Sequence, residues 1–219
     1  MHKAEEDYLK MIYELHSQTD TVFIKSSLLA EQFGYTVQSV NEMIKRMDRK
    51  GFVTFKPYKG VKLTTKGHRE AIRMIKAHRL WEVFLAEKLN ISWENLHEEA
   101  EKLEHATSAL VLDKLYTYLD KPAYCNHGNP IPDEDGHMAT PAMMALSDAK
   151  DNQWFKIQRV LDHKPLLTYL GERNIGLYDV LLINQIDQFS GLINVQVNGE
   201  NHTLSKSIAR MIFGKPHSA

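Results

Sequence analysis

The sequence predicts a mainly α chain in three parts: a winged helix-turn-helix, a helical middle and a small C-terminal β-barrel. Three observations carry this expectation. Apolar residues recur at helical spacing through most of the stretch up to Asp120. A short helix, a tight turn, a polar-faced basic helix and a basic hairpin follow one another from Ser26 to Thr64. Alternating, strand-like runs separated by Gly and Asn turns are confined to the stretch after Asn152.

Glu5 to His16 reads as a helix whose apolar face is supplied by Tyr8, Leu9, Ile12, Tyr13 and Leu15. Asp7 lies in its first turn, where a carboxylate suits the helix dipole, and in isolation that is the stronger reading of Asp7. Ser26 to Gly34 reads as a short helix with a serine cap and a glycine stop. Thr36 caps a second helix from about Val37 to Lys50, ended by Gly51, with Val40, Ile44 and Met47 on its inner side. Phe52 to Thr64 is then a β-hairpin tipped with Lys56, Lys59 and Lys62, in the place of a wing. The alternative, a basic hairpin with no ligand, leaves the order of the pieces unexplained.

Gly67 to about Leu89 reads as a long helix, on which His78 and Glu82 share a stripe at i, i+4. Glu94 to Asp120 holds neither Pro nor Gly, so a helical region is the default. Within it Glu101, Glu104 and His105 stand at i, i+3 and i+4 on one face, with His97 a turn earlier. Two carboxylates and an imidazole on one face suit a cation between them, and oxygen ligands with one nitrogen suit Mn²⁺ or Fe²⁺. A solvated acidic face is the plainer alternative. The Ala106–Tyr118 portion carries more apolar surface than one thin domain covers, which points to a subunit interface.

Cys125 and His127 bring a soft and a borderline ligand into the irregular turn Cys125–Pro132, although a lone Cys is more often buried filler. Asp133–Asp151 reads as a mobile linker. Beyond it, strands are expected at Trp154–Leu161, Tyr178–Asn184, Gly191–Val197 and His202–Ser205, with a short helix at Pro165–Arg173. The expected divisions are 1–70 for the winged helix, 71–140 for the helical middle, 141–151 for the linker and 152–219 for the barrel.

Charge is balanced overall, 27 Lys+Arg against 28 Asp+Glu, but unevenly placed. Thr36–Arg69 holds nine basic and two acidic residues, whereas Glu82–Asp151 holds fourteen acidic and five basic. A basic block followed by an acidic one suggests one region for an anionic partner and another for cations. The single cysteine excludes an internal disulfide framework and fits a reducing cytosol. No apolar run approaches spanning length and the first residues lack an apolar signal core, so a cytoplasmic protein with no membrane partner is expected.

The runs Glu6–Leu15, Arg46–Gly51, His78–Glu82, His97–His105 and Gly128–Pro132, in this order, resemble the diphtheria toxin repressor family of metal-dependent transcriptional repressors. The chain looks most like the three-domain, manganese-sensing branch, whose C-terminal domain is SH3-like (FeoA-type). The resemblance implies a homodimer on double-stranded operator DNA, no enzymatic activity and no organic cofactor. It also implies control of metal-uptake and homeostasis genes.

The resemblance implies two metal sites. One would be built from Asp7, Glu101, Glu104 and His105; the second from Glu82, Cys125 and His127, closed by Asp162. Iron-sensing members place a cysteine at Glu101 and a methionine at Asp7, so carboxylates at both positions favour Mn²⁺. Fe²⁺, Zn²⁺ or Cd²⁺ would also bind in vitro, the soft Cys125 favouring them. His78 and His97 match ligands of the iron-sensing members and are expected as extra ligands or as donors to a ligating carboxylate. Lys10 departs from some two-domain manganese sensors, which carry a glutamate there.

For DNA, Lys45, Arg46, Arg49, Lys56, Lys59 and Lys62 are the expected phosphate contacts. Thr36, Gln38, Ser39 and Glu42 lie at the start of the recognition helix and would reach base edges. Glu42 stands where the family pattern has a glutamine, and a glutamate instead accepts from cytosine. Three other readings stay open: an Fe²⁺- or Zn²⁺-responsive regulator of the same family, a metal-independent winged-helix regulator, and a metalloenzyme using Glu101, Glu104 and His105.

Overall fold

The computed structural model describes residues 1–17 and 21–218. The N-terminal body is built from α1 (Lys3–Ser17), α2 (Ser26–Phe33), α3 (Val37–Arg49) and the hairpin β1 (Val53–Lys56) with β2 (Gly60–Leu63). The serine cap expected for α2 is absent, since Lys25 occupies the N-cap with no side-chain hydrogen bond and Ser26 is already helical. α2 stops at Gly34, left-handed at φ 66°, and α3 starts where the Thr36 hydroxyl accepts the Ser39 N–H. One face of α3 buries Val40, Ile44 and Met47 against Leu9 and Ile12 of α1, leaving its polar face to solvent. Ile24 exchanges both backbone hydrogen bonds with Val61, adding a one-residue third strand to the wing. Gly60 permits this approach, since a Cβ there would stand 2.2 Å from the Ile24 carbonyl oxygen.

α4 (Thr65–Leu89) begins where the Thr64 hydroxyl accepts the Gly67 N–H. It runs through both halves of the helical region, packing on α1 at one end and on α5 (Leu96–Glu104) and α6 (Ala109–Tyr118) beyond. The stretch expected as one helical region from Glu94 to Asp120 is therefore divided. A 3₁₀ turn at Trp93–Asn95 leads into α5, and a break follows at residues 105–108. Ser108 caps α6 by accepting the Val111 N–H, and Thr107 is held by its own bond to Leu103 O and one from Trp81 Nε1. Hydroxyl residues that bond local backbone compete with helix continuation, which is how a run without Pro or Gly still breaks.

The C-terminal body is a six-stranded antiparallel sheet in the order β3-β8-β4-β5-β6-β7, formed by β3 (Met144–Ala145), β4 (Gln153–Val160), β5 (Val180–Ile186), β6 (Leu192–Val197), β7 (Glu200–Ser205) and β8 (Ile212–Pro216). α7 (Lys164–Gly171) and α8 (Lys206–Ala209) complete it, and Phe155, Ile157, Leu170, Leu181 and Val195 are wholly buried in its core. Two expectations change. The stretch read as a mobile linker contributes β3, and Leu146 is fully buried in this core because its side chain has no other apolar surface to join. β8 is additional, paired to both β3 and β4; its Gly214 and Pro216 hide a strand from pattern reading.

The C-terminal body docks on the helical middle through the turn that carries His127. Val160 N–H donates to the His127 carbonyl at 3.0 Å, and Gly128 lies against the β4 backbone, with φ 79°. A Cβ at Gly128 would meet the Gln158 carbonyl oxygen at 2.0 Å. Among the described residues no helix is long and apolar enough to cross a membrane.

Candidate metal centre

α1 and α5 both pack on α4, and this brings Asp7, Glu101, Glu104 and His105 together, with one ligand atom from each within 4.8 Å of the others. Glu101 and Glu104 stand one turn apart on α5, and His105 is its C-cap, still helical in its backbone. His105 Nε2 lies 3.0 Å from Asp7 Oδ1 and 3.5 Å from Glu104 Oε1. Its other nitrogen, Nδ1, lies 2.7 Å from Glu6 Oε2, and Glu6 is in turn paired with Arg73 at 2.9 Å. Glu6 thus fixes the ring so that Nε2 faces the carboxylates, as a carboxylate partner does for a ligating imidazole. Glu6 was not read from the sequence: its meeting with His105 and Arg73 is tertiary and leaves no local spacing to find.

Burial and the charges of Glu101 and Glu104 push the Asp7 carboxyl up, against the pull of His105. Burial also disfavours charge on Glu104, yet a hydrogen bond from His78 and the charge of Lys10 hold its carboxyl down. Lys10 is the other residue that local pattern did not place in the cluster; its Nζ lies 2.9 Å from Glu104 Oε2 and 3.2 Å from Glu101 Oε2.

A second cluster lies beside the first. Glu82, Cys125 and His127 come together and are all buried; Asp162 joins Glu82, His78 and His97 in an overlapping group. Glu82 Oε1 bridges His127 Nδ1 at 3.0 Å and His78 Nε2 at 3.3 Å, while Asp162 Oδ2 is bonded to His97 Nδ1 and lies 4.0 Å from His127 Nδ1. The four residues expected to form one site therefore share Glu82 and Asp162 with the two histidines expected nearby. Burial drives the Cys125 thiol well above its ordinary value, with Glu82 adding to it. His127 is raised, Glu82 overcoming the opposing effect of burial. His78 is pushed up to about 9, Glu82 and Glu104 outweighing burial and Lys10. His127 stacks on Trp93, with centroids 6.0 Å apart.

The fit to a cation is testable on the donors themselves. Glu82 Oε2 and His127 Nε2 are buried without a hydrogen-bond partner, and Asp7 Oδ1 and His105 Nε2 make no hydrogen bond although they pair at 3.0 Å. Buried polar atoms are ordinarily satisfied, so the two orphans of the second cluster suit a ligand that the chain's own hydrogen bonding does not supply. A third group, Asp133, Asp135 and His137, is exposed and closed on its own backbone hydrogen bonds.

On the winged helix, Thr36, Gln38, Ser39, Glu42, Lys45, Arg46 and Arg49 are all exposed. Lys56 and Lys59 are exposed on the wing, with Lys62 half-buried, and Lys56 and Lys62 lie over the Phe23 ring. Arg46 is also tied back to α1, its Nε 3.2 Å from Glu5 Oε1, to which Lys50 Nζ comes within 2.7 Å.

Three family models match in succession. Residues 1–61 match the N-terminal DNA-binding domain of iron-dependent repressors, 64–133 their metal-binding and dimerisation domain, and 144–216 the FeoA domain. The chain is 36% identical to an uncharacterised HTH-type transcriptional regulator of Methanocaldococcus jannaschii, over 55% of this chain and 96% of that one. It is 34% identical to the iron-dependent repressor IdeR of Mycobacterium leprae over 58% of this chain, a match that spans 54% of that repressor. Among solved structures it is similar to a manganese-dependent transcriptional repressor in complex with manganese, at 30% identity and TM-score 0.84, covering 97% of this chain and all of that one.

Proposed function

Because the chain belongs to the iron-dependent (diphtheria toxin) repressor family of metal-dependent, DNA-binding transcriptional regulators, we propose that it is a manganese-responsive repressor of metal-uptake and homeostasis genes. It would act in the cytoplasm as a homodimer on double-stranded operator DNA. The observation that carries the reading is the meeting of Asp7 from α1 with Glu101, Glu104 and His105 on and just after α5. Three carboxylates and one imidazole make a hard donor set that suits Mn²⁺. The second site would be Glu82, Cys125 and His127 closed by Asp162, with His78 and His97 as further ligands or orienting donors; the clustering of Glu82 with Cys125 and His127, and of Asp162 with Glu82, His78 and His97, supports this. The buried thiol of Cys125 favours Zn²⁺ or Fe²⁺ there and supports a response to those ions as the second reading.

A bound divalent ion supplies the positive charge that balances the crowded carboxylates. Asp7 then fixes α1 against α5, and Glu5, two residues earlier, passes that constraint to the recognition helix through Arg46 and Lys50. Asp162 ties the C-terminal body, read as an SH3-like barrel, to His97 and the second site. Leu110, Val111 and Tyr118, exposed on α6, supply the dimer face. Lys45, Arg46, Arg49, Lys56, Lys59 and Lys62 contact phosphates, and Thr36, Gln38, Ser39 and Glu42 face the bases. The proposed divisions keep 1–70 and 71–140, while β3 and Leu146 move the start of the C-terminal domain into the stretch 141–151 expected as a linker.

The test is DNA binding by the full chain with Mn²⁺, Fe²⁺, Zn²⁺ and excess chelator at matched salt. Strongest binding with Mn²⁺ and weakest in chelator is expected. Equal binding in all four would leave a metal-independent winged-helix regulator.

A further inference from the structure

We propose that Lys10 is a tethered competitor of the metal ion, an internal cation that must release Glu101 and Glu104 before they ligate and so sets the metal concentration at which the protein responds. The inference rests on the reading of Asp7, Glu101, Glu104 and His105 as a metal site.

Lys10 Nζ lies 2.9 Å and 3.2 Å from the two oxygens of Glu104, 3.2 Å from Glu101 Oε2 and 3.1 Å from His78 Nδ1. Its side chain is 12% exposed and that of Glu104 is fully buried. These are first-rank ion pairs away from water, where charges unbalanced by partners are expensive. Lys10 also stands three residues after Asp7, on the same face of α1, so one helix delivers both a ligand and a rival for the other ligands.

The charge count makes the rivalry specific. Asp7, Glu101 and Glu104 carry three negative charges when ionised, which draw in a divalent ion, and Lys10 already neutralises charge on two of the carboxylates that ion needs. An ammonium held on the same carboxylates repels an incoming ion and occupies the lone pairs it needs. Whatever stabilises the Lys10-bound arrangement is subtracted from metal affinity. The same contacts relieve carboxylate repulsion when no ion is bound. A lysine that merely positioned the ligands would have the contrary effect on affinity.

The experiment compares the full-length wild type with Lys10→Met and Lys10→Arg, without DNA. Mn²⁺ binding is read from the electron paramagnetic resonance of free Mn²⁺, and thermal melting is read in chelator. Lys10→Met is expected to bind Mn²⁺ at least about tenfold tighter while melting lower in chelator. At an effective dielectric near 20, the repulsion removed exceeds the roughly 1.4 kcal/mol that a factor of ten requires. Lys10→Arg, whose fork holds carboxylates bidentately, is expected to bind Mn²⁺ more weakly than wild type. Equal or weaker binding by Lys10→Met would overturn the proposal. If that variant folds only with Mn²⁺ present, the proposal is supported. If it does not fold at all, Lys10→Arg decides, and unchanged or tighter binding by it overturns the competition. Asp7→Ala separates the two levels: Mn²⁺ binding equal to wild type in that variant would refute the site itself.

Discussion

Gly128 is where the docking of the C-terminal body can be broken with one methyl group. Its φ of 79° is left-handed, and an added Cβ would stand 2.0 Å from the Gln158 carbonyl oxygen and 2.7 Å from Arg159 Cα. A left-handed non-glycine residue costs about 1–2 kcal/mol, and overpacking against backbone that cannot rotate away costs about 1–3 kcal/mol. Gly128→Ala should therefore weaken the local structure by about 2–5 kcal/mol, the sum of those two ranges. For a chain of this size that is a fall of at least about 4 °C in Tm if the loss is felt globally. If the body undocks instead, the loss is local, and the Val160 to His127 hydrogen bond goes with it. Both routes loosen the turn that buries Cys125. Melting temperature and the reaction rate of Cys125 with a thiol reagent should be measured together. A lower Tm, a faster thiol, or both are expected. A variant with wild-type melting and a wild-type thiol rate would refute the reasoning.

Glu6→Gln should weaken Mn²⁺ binding by about 10–100-fold, as expected for loss of the partner that orients a ligating imidazole, which calorimetric titration reads. Cys125 is raised well above its ordinary value by burial and by Glu82, so it holds its proton near neutral pH, and metal binding at that cluster must expel it. Affinity there should rise with pH, and binding heats should differ between buffers of unlike ionisation enthalpy; buffer-independent heats would contradict this. His78 is raised from 6.5 to about 9, so the stability it contributes is fully present below about 6.5 and is lost as pH rises through about 9. Melting in chelator should fall across that window in wild type and less in His78→Gln. Lys59→Ala should weaken DNA binding uniformly across sequences and lower the salt slope by about one, whereas Glu42→Gln should change which sequences are preferred.

Much of the fold was legible because it is written in local spacing. The stop at Gly34, the cap at Thr36 and the apolar positions Val40, Ile44 and Met47 are short-range signals, and all stand in the structure as read. The break at residues 105–108 was not legible, because hydroxyl caps compete with the helix only once Trp81 has arrived to hold Thr107. β3 and β8 were missed for a related reason: a two-residue strand has no period, and Gly214 and Pro216 interrupt the other. Site residues followed the same division. Glu101, Glu104 and His105 share a helical face, so their convergence is visible in the sequence, whereas Asp7 joins them only through the packing of α1. The orienting role of Glu6 and the position of Lys10 between carboxylates depend on tertiary contacts alone.

The most direct test uses a DNA duplex selected from a random pool by the Mn²⁺-loaded full chain. Its affinity is then compared with Mn²⁺ and in excess chelator, for wild type and for Asp7→Ala. Wild type should bind about 5–150-fold tighter with Mn²⁺, the range of typical coupling between sites, and Asp7→Ala should lose most of that ratio. A ratio near one in wild type, or a full ratio in Asp7→Ala, would contradict the claim that α1 is clamped through its carboxylate.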